Sequence, residues 1–148
     1  MIEAATIPTV FLTAYYSLIY LARLEEGETC LIHSGTGGVG LAAIQLAQNI
    51  CKANVIASVG SQEKEEYLRD NHQITEIVNS KSQDFAEHAL ELTDGRGVDV
   101  VLNSLDGDAI DKNFAVLTKM GRFVEIGVKD IYDNKKVGLK SFFNNISY

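Results

Sequence analysis

The chain has 148 residues, 13 Lys and Arg against 20 Asp and Glu, a formal net charge of -7, and 46% hydrophobic against 22% charged residues. That length fits one domain with a real core, the apolar content excludes disorder, and no run of about 18 apolar residues is present to span a bilayer. The acidic balance argues against a surface for duplex nucleic acid or anionic lipid, so neither nucleic acid nor membrane is an expected partner.

Residues 9–24 follow the lone Pro8 and read as an apolar helix ending before the turn at Glu26-Gly27-Glu28. From there short β-rich runs alternate with longer segments of helical spacing, the rhythm of βαβ units on a parallel sheet. Strands are predicted at 29–33, 54–59, 76–79, 98–102 and 122–126, and helices at 38–52, 62–71, 83–93 and 108–118. Ser61 and Ser82 stand where they can cap two helices, Glu63 and Asp84 fall in first turns, and Gly95 follows Thr93 as a C-cap. Residues 129–140 are polar and irregular, and 142–148 are apolar again, like a further strand beginning. The expected fold is a single α/β domain over residues 1–148, a Rossmann-type doubly wound parallel sheet with helices on both faces.

Cys30 and Cys51 are too few for a disulfide framework, and their spacing with His33, His72 and His88 matches no zinc pattern. Both are expected to be buried reduced thiols, and no metal is expected. Without a secretory signal, the cytoplasm is the default compartment.

Directly after the first predicted strand comes Ser34-Gly35-Thr36-Gly37-Gly38-Val39-Gly40, and directly after that an apolar helix. Gly35, Gly37 and Gly40 satisfy G-x-G-x-x-G at the first βα junction, where strand, motif and helix stand in the order a dinucleotide site requires. The first glycine permits the tight turn, the second lets backbone approach a pyrophosphate, and the third lets the helix pack on the strand, its positive end toward the phosphates. The end of the second strand then discriminates between cofactors. An NAD site wants an acid there for the ribose hydroxyls, whereas this chain has Ala57-Ser58-Val59-Gly60-Ser61-Gln62-Glu63-Lys64. Ser58, Ser61 and the cation Lys64 suit the 2′-phosphate of NADP(H), which is the expected cofactor.

Rival uses of such a loop fail on the same residues. A methyltransferase would want acids where His33 and Val59 stand. A short-chain reductase would place Tyr-x-x-x-Lys on a helix, but the residues between Tyr132 and Lys136 read as a loop. A P-loop would follow Gly40 with lysine, and Leu41 stands there.

Further blocks carry a resemblance: Ala4-Ala5-Thr6-Ile7-Pro8, Phe11-Leu12-Thr13-Ala14-Tyr15-Tyr16, Leu31-Ile32-His33, the run from Gly97 through Val98, Asp99, Val100, Val101 and Leu102 to Asn103-Ser104-Leu105, and Gly121-Arg122-Phe123-Val124-Glu125-Ile126-Gly127. In this order they resemble the nucleotide-binding half of the enoyl reductase domain of modular polyketide synthases and animal fatty acid synthase, within the zinc-free medium-chain reductases. The likeness covers essentially the whole chain.

The resemblance implies a Rossmann sheet inserted in a GroES-like substrate domain that is not represented here. It implies hydride transfer from NADPH to the β-carbon of an enoyl thioester carried on acyl carrier protein, followed by protonation at the α-carbon. The implied partners are that thioester and other synthase domains, with a homodimer also open. Carried over, Gly35, Thr36, Gly37, Gly38, Val39 and Gly40 match the pyrophosphate loop. Ser61, Lys64 and Lys81 match the group around the 2′-phosphate, and Thr13 a threonine near the nicotinamide. Asn103, Ser104, Leu105 and Gly127 match the strand ends beside its ribose. Family members often carry a proton-donating lysine directly after Glu-Ile-Gly; here Val128 occupies that place and Lys129 follows, so Lys129 is the candidate donor. A non-catalytic NADP(H)-binding module and a zinc-free quinone oxidoreductase are the alternatives, and the isolated chain is expected to be inactive.

Overall fold

Five parallel strands pair side by side: β1 Thr29–Ile32, β2 Asn54–Val59, β3 Ile77–Asn79, β4 Val98–Asn103 and β5 Leu117–Glu125. The computed structural model describes residues 2–82 and 84–148. The strand order is β3-β2-β1-β4-β5, with Leu31 aligned to Ile56 on one side and to Val101 on the other. The chain winds outward from β1 to β3 and then crosses back to β4. The carboxyl ends of β1 and β4 therefore flank the point where the winding reverses, the place where such sheets open a ligand crevice.

The strands are apolar at almost every position because both sheet faces are covered. Alternate residues sort to opposite sides. Cys30, Ile32, Val55, Ala57, Val100 and Leu102 share one cluster with Leu18 and Ile44, while Leu31, Ile56, Val101 and Phe123 share the other with Phe85 and Phe114. The first face is covered by α1 Ile2–Tyr15, α2 Gly38–Leu46 and, through Leu68, α3 Gln62–His72. The second is covered by α4 Phe85–Glu91 and α5 Ala109–Val116. This is the doubly wound sheet that the periodicity predicts.

Four boundaries differ from expectation. The opening helix starts before Pro8 and contains it. Proline lacks only its own N–H, so one backbone bond is lost while packing on α2 holds the rest. That helix then relaxes into a π-helical turn, Tyr16–Leu21, stopped by Arg23 at φ +49°. β5 begins at Leu117, immediately after α5, instead of at 122, because Leu117 pairs with Val98 ahead of a register shift around Met120, at φ +61°. The tail makes a 3-10 turn, Leu139–Asn144, and then touches the sheet edge, where Ser147 pairs with Arg122 in parallel. Within the irregular stretch, Lys129–Tyr132 forms a single short helical turn, α6. The predicted helix start at Gln83 lies outside the described residues.

At the amino edge of the sheet Arg122 closes the fold over long sequence distances. Its guanidinium donates to both oxygens of Glu28, at 2.8 and 2.5 Å, and to the carbonyl of Ala22 at 2.8 Å. The pair is mostly shielded from water, which preserves its strength. Arg122→Ala is expected to destabilise the chain by about 1.5–3 kcal/mol, and Arg122→Lys by a large part of that, because lysine cannot reproduce the fork. Urea midpoints of the three proteins check it.

Candidate functional site

The glycine loop lies at the carboxyl end of β1. Ser34 turns in the left-handed region at φ +52°, the Gly35 amide donates to the Ser58 carbonyl at 2.9 Å, and the Gly37 amide donates to the Ser34 carbonyl at 2.8 Å. Gly37 is then the N-cap of α2, and the first intrahelical bond runs from the Leu41 amide to the Gly37 carbonyl. The amides of Gly38, Val39 and Gly40 thus have no acceptor within the helix and face outward from its positive end. Gly40 is the tightest point: a Cβ there would lie 2.3 Å from the Ser34 carbonyl oxygen. Gly38 meets Val10 of α1, so the opening helix braces the loop from behind. Thr13 lies three residues beyond Val10 on the same helical face, half-buried, its hydroxyl returned to the Thr9 carbonyl at 2.9 Å.

At the end of β2 the expected group divides. Ser58 is 0% exposed, and its hydroxyl is engaged by His33 Nδ1 at 2.6 Å. Its side chain points into the core and cannot donate to a surface phosphate, which corrects that assignment. Ser61 holds the N-cap position of α3, but its hydroxyl makes no capping bond. Lys64 is exposed in the first turn of the same helix. Lys81 lies over Gly60, whose added Cβ would come within 3.0 Å of Lys81 Cε. Gly60, Ser61 and Lys81 thus meet at one strand end.

At the ends of β4 and β5 a cleft of about 150 Å³ is lined by Ser104, Leu105, Asp106, Glu125, Gly127, Val128, Lys129 and Asp130. Asn103 is fully buried beneath it. Its amide nitrogen donates to Glu125 Oε2 at 2.6 Å and to the Leu105 carbonyl at 2.7 Å, and its oxygen accepts from the Leu105 amide at 3.1 Å. The Gly127 amide donates to Glu125 Oε1 at 2.6 Å, in a space a Cβ would fill. Ser104 and Ser34 share a hydroxyl bond of 2.8 Å that joins this turn to the glycine loop. Lys129 Nζ meets Asp106 Oδ2 at 2.6 Å on the exposed rim. Each holds the other charged: the lysine lowers the Asp106 carboxyl and is itself raised. Partial burial pushes the Glu125 carboxyl up, against the hydrogen bonds from Asn103 and Gly127.

Sequence reasoning missed His33, Asn113, Glu125 and Asp106 as parts of this site. Asn113 had a legible signal, a polar residue on the apolar stripe that Ile110, Phe114 and Val116 form along α5. The other three are placed only by tertiary contact.

With this geometry in hand, the family model described as zinc-binding dehydrogenase matches residues 38–147. The nucleotide-binding subdomain of the enoylreductase domain of PpsC from Mycobacterium tuberculosis superposes with a TM-score of 0.88 at 44% identity, over 95% of this chain and 78% of that one. The chain belongs to the zinc-binding dehydrogenase family, in its enoyl reductase branch. The CurK enoyl reductase superposes with a TM-score of 0.84 at 45% identity, over 99% of this chain and 42% of that one. Polyketide synthase 37 of Dictyostelium discoideum is 49% identical over 148 residues, 99% of this chain, which spans 5% of that protein. Among the described residues no three His, Cys, Asp or Glu side chains converge as metal ligands. Both ring nitrogens of His33 are engaged, and burial drives the Cys30 thiol far above its ordinary value. Also among the described residues, no helix is long and apolar enough to cross a membrane.

Two outcomes follow from this geometry. Gly40→Ala forces the α2 terminus off β1 and is expected to cost about 1–3 kcal/mol of stability, while Gly37→Ala, whose Cβ would sit 3.1 Å from the Ser34 oxygen, costs less. Thermal denaturation ranks the two. Burial lowers His33 to about 4 from an ordinary value near 6.5. Between those pH values the unfolded chain binds a proton that the folded chain refuses, so this contribution to stability is intact above the unfolded value and falls away toward the folded one. The loss is on the order of 3 kcal/mol. Urea midpoints at neutral pH and near pH 4 should show it, and His33→Gln should remove that part of the slope.

Proposed function

We propose that this chain is the NADPH-binding half of an enoyl reductase acting in polyketide or fatty acid synthesis. The observation that carries the reading is the α2 terminus, with the amides of Gly38, Val39 and Gly40 presented where Gly40 alone permits the close approach to Ser34. A backbone cradle of this kind fits a pyrophosphate, with the helix dipole favouring its charge. The relatives support the same reading, since the aligned protein of known structure is a nucleotide-binding subdomain.

Residues Gly35 to Gly40 would hold the pyrophosphate, while Ser61, Lys64 and Lys81 would surround the 2′-phosphate. Thr13, Asn103, Ser104, Leu105 and Gly127 would border the nicotinamide and its ribose. When bound, the cofactor supplies a hydride to the β-carbon of an α,β-unsaturated acyl thioester. Lys129 keeps a proton at Nζ through its pairing with Asp106 and stands on the rim of the cleft, so it would protonate the α-carbon. The thioester would arrive on acyl carrier protein, with other synthase domains alongside, in the cytoplasm. That Val128 stands directly after Gly127 keeps a second reading open, a non-catalytic NADP(H)-binding module.

Fluorescence titration of the chain with NADPH and NADH tests the cofactor. NADPH should bind more tightly, and Lys64→Ala and Lys81→Ala should each weaken it about tenfold while leaving NADH nearly unchanged, the size of one charge-assisted phosphate contact. Equal losses for both cofactors would overturn the 2′-phosphate assignment. The chain joined to its substrate half should oxidise NADPH with crotonyl thioester. In that protein Lys129→Ala should lower turnover about a hundredfold with NADPH affinity unchanged. Full activity in the variant would remove Lys129 from the mechanism, and no activity in the joined protein would favour the binding module.

A further inference from the structure

A single line of buried hydrogen bonds crosses the carboxyl end of the sheet from β2 to β5. Ser58 Oγ meets His33 Nδ1 at 2.6 Å, and His33 Nε2 meets Asn113 Oδ1 at 2.7 Å. Asn113 Nδ2 donates to Asn103 Oδ1 at 2.9 Å, and Asn103 Nδ2 donates to Glu125 at 2.6 Å. Ser58, Asn103 and Asn113 are 0% exposed and His33 is 2% exposed. Among the described residues no buried side-chain polar atom lacks a partner.

The line has one consistent direction. The Glu125 carboxylate can only accept, so Asn103 must present its nitrogen there and its oxygen to Asn113. Asn113 therefore gives its nitrogen to Asn103 and its oxygen to His33, whose Nε2 must carry the proton. Nδ1 is left to accept from the Ser58 hydroxyl. The Glu125 carboxylate, with the Leu105 backbone on either side of Asn103, thus settles which way both amides point and which ring tautomer His33 holds. Such a network stabilises no more than well-packed apolar side chains of the same volume would, so its presence is explained better by what it orients than by what it holds together. What it orients is the Asn103 side chain, which clasps the Leu105 backbone on both sides, and Glu125, which holds the Gly127 amide.

We propose that His33 and Asn113 are positioning residues: by bracing the Asn103 side chain from behind, through the Asn113 bond to its Oδ1, they hold the Ser104–Leu105 turn and, through Glu125, the Gly127 amide in place, and so the wall against which the nicotinamide end of the cofactor lies, without touching the cofactor themselves. This rests on the cofactor reading above. The same line begins at Ser58, whose carbonyl receives the Gly35 amide, so one network supports both the glycine loop and the opposite wall. Asp106 and Lys129 remain on the rim, outside it.

The test compares two ligands on the whole chain: NADPH, and adenosine 2′,5′-bisphosphate, which lacks the nicotinamide half. Asn113→Ala should weaken NADPH about fivefold more than the bisphosphate, the size of one displaced neutral hydrogen bond, whereas His33→Gln, which can still donate toward Asn113, should show little of that difference. In nuclear magnetic resonance spectra the Asn103 side-chain amide should be protected from hydrogen exchange in the unchanged chain and exposed in Asn113→Ala. If Asn113→Ala does not fold, Ser58→Ala serves for the ligand comparison. The imidazole nitrogen shifts of the unchanged chain report the tautomer directly. Failure of the unchanged chain to bind either ligand overturns the cofactor reading and this inference with it. Binding by the unchanged chain with equal weakening of both ligands in the variants, or a His33 ring protonated at Nδ1 instead of Nε2, overturns this inference alone.

Discussion

The close approach of α2 to the end of β1 is the constraint on which the rest of the site depends. Nothing larger than hydrogen fits on Gly40 beside the Ser34 carbonyl, and this contact seats the helix so that its first amides face outward. Were the helix displaced by a methyl group's width, the amides and the dipole would still exist but would no longer converge on one anion. Val10 against Gly38 shows the same economy from the other side, with α1 packed where a side chain would otherwise stand. Stability and binding geometry are therefore coupled at this junction.

The sheet's covered faces explain why polar chemistry is confined to its edges. Cys30, Leu31 and Ile32 lie between two helical layers, and a polar group among them survives only if fully paired. His33 is the first residue past the end of β1, and it is tolerated because both ring nitrogens are satisfied and the ring is packed edge-on against Phe85. At the opposite edge Asp99 is accommodated in the same way, accepting from the Thr29 amide and from Arg96. The amino edge carries the Arg122 latch, while at the carboxyl ends the winding reverses between β1 and β4, so that the loops diverge there and open a crevice.

The relatives that the chain matches are longer proteins, and it spans 5% of Polyketide synthase 37 and 42% of the CurK enoyl reductase. The residues bordering the small cleft at β4 and β5 build one wall, with Val128 and Lys129 on an exposed rim.

Much of this was legible in the residues alone. Short β-rich apolar runs, separated by segments of helical spacing, determined a parallel sheet covered on both faces, because that architecture buries every position of Thr29–Ile32 and Val98–Asn103. The strand, glycine and helix order determined the loop, since backbone sterics act over a few residues. Local pattern misjudged Pro8 and the start of β5, where packing on α2 and pairing with Val98 outweighed local preference. It also misjudged Ser58, because spacing says that a residue ends a strand but not which face its hydroxyl meets. Only the tertiary structure brought Ser58, His33, Asn103, Asn113 and Glu125 into one line. Those residues come from four separate elements and the loop after β1, and the direction of each hydrogen bond depends on partners up to 80 positions away, which no local pattern encodes.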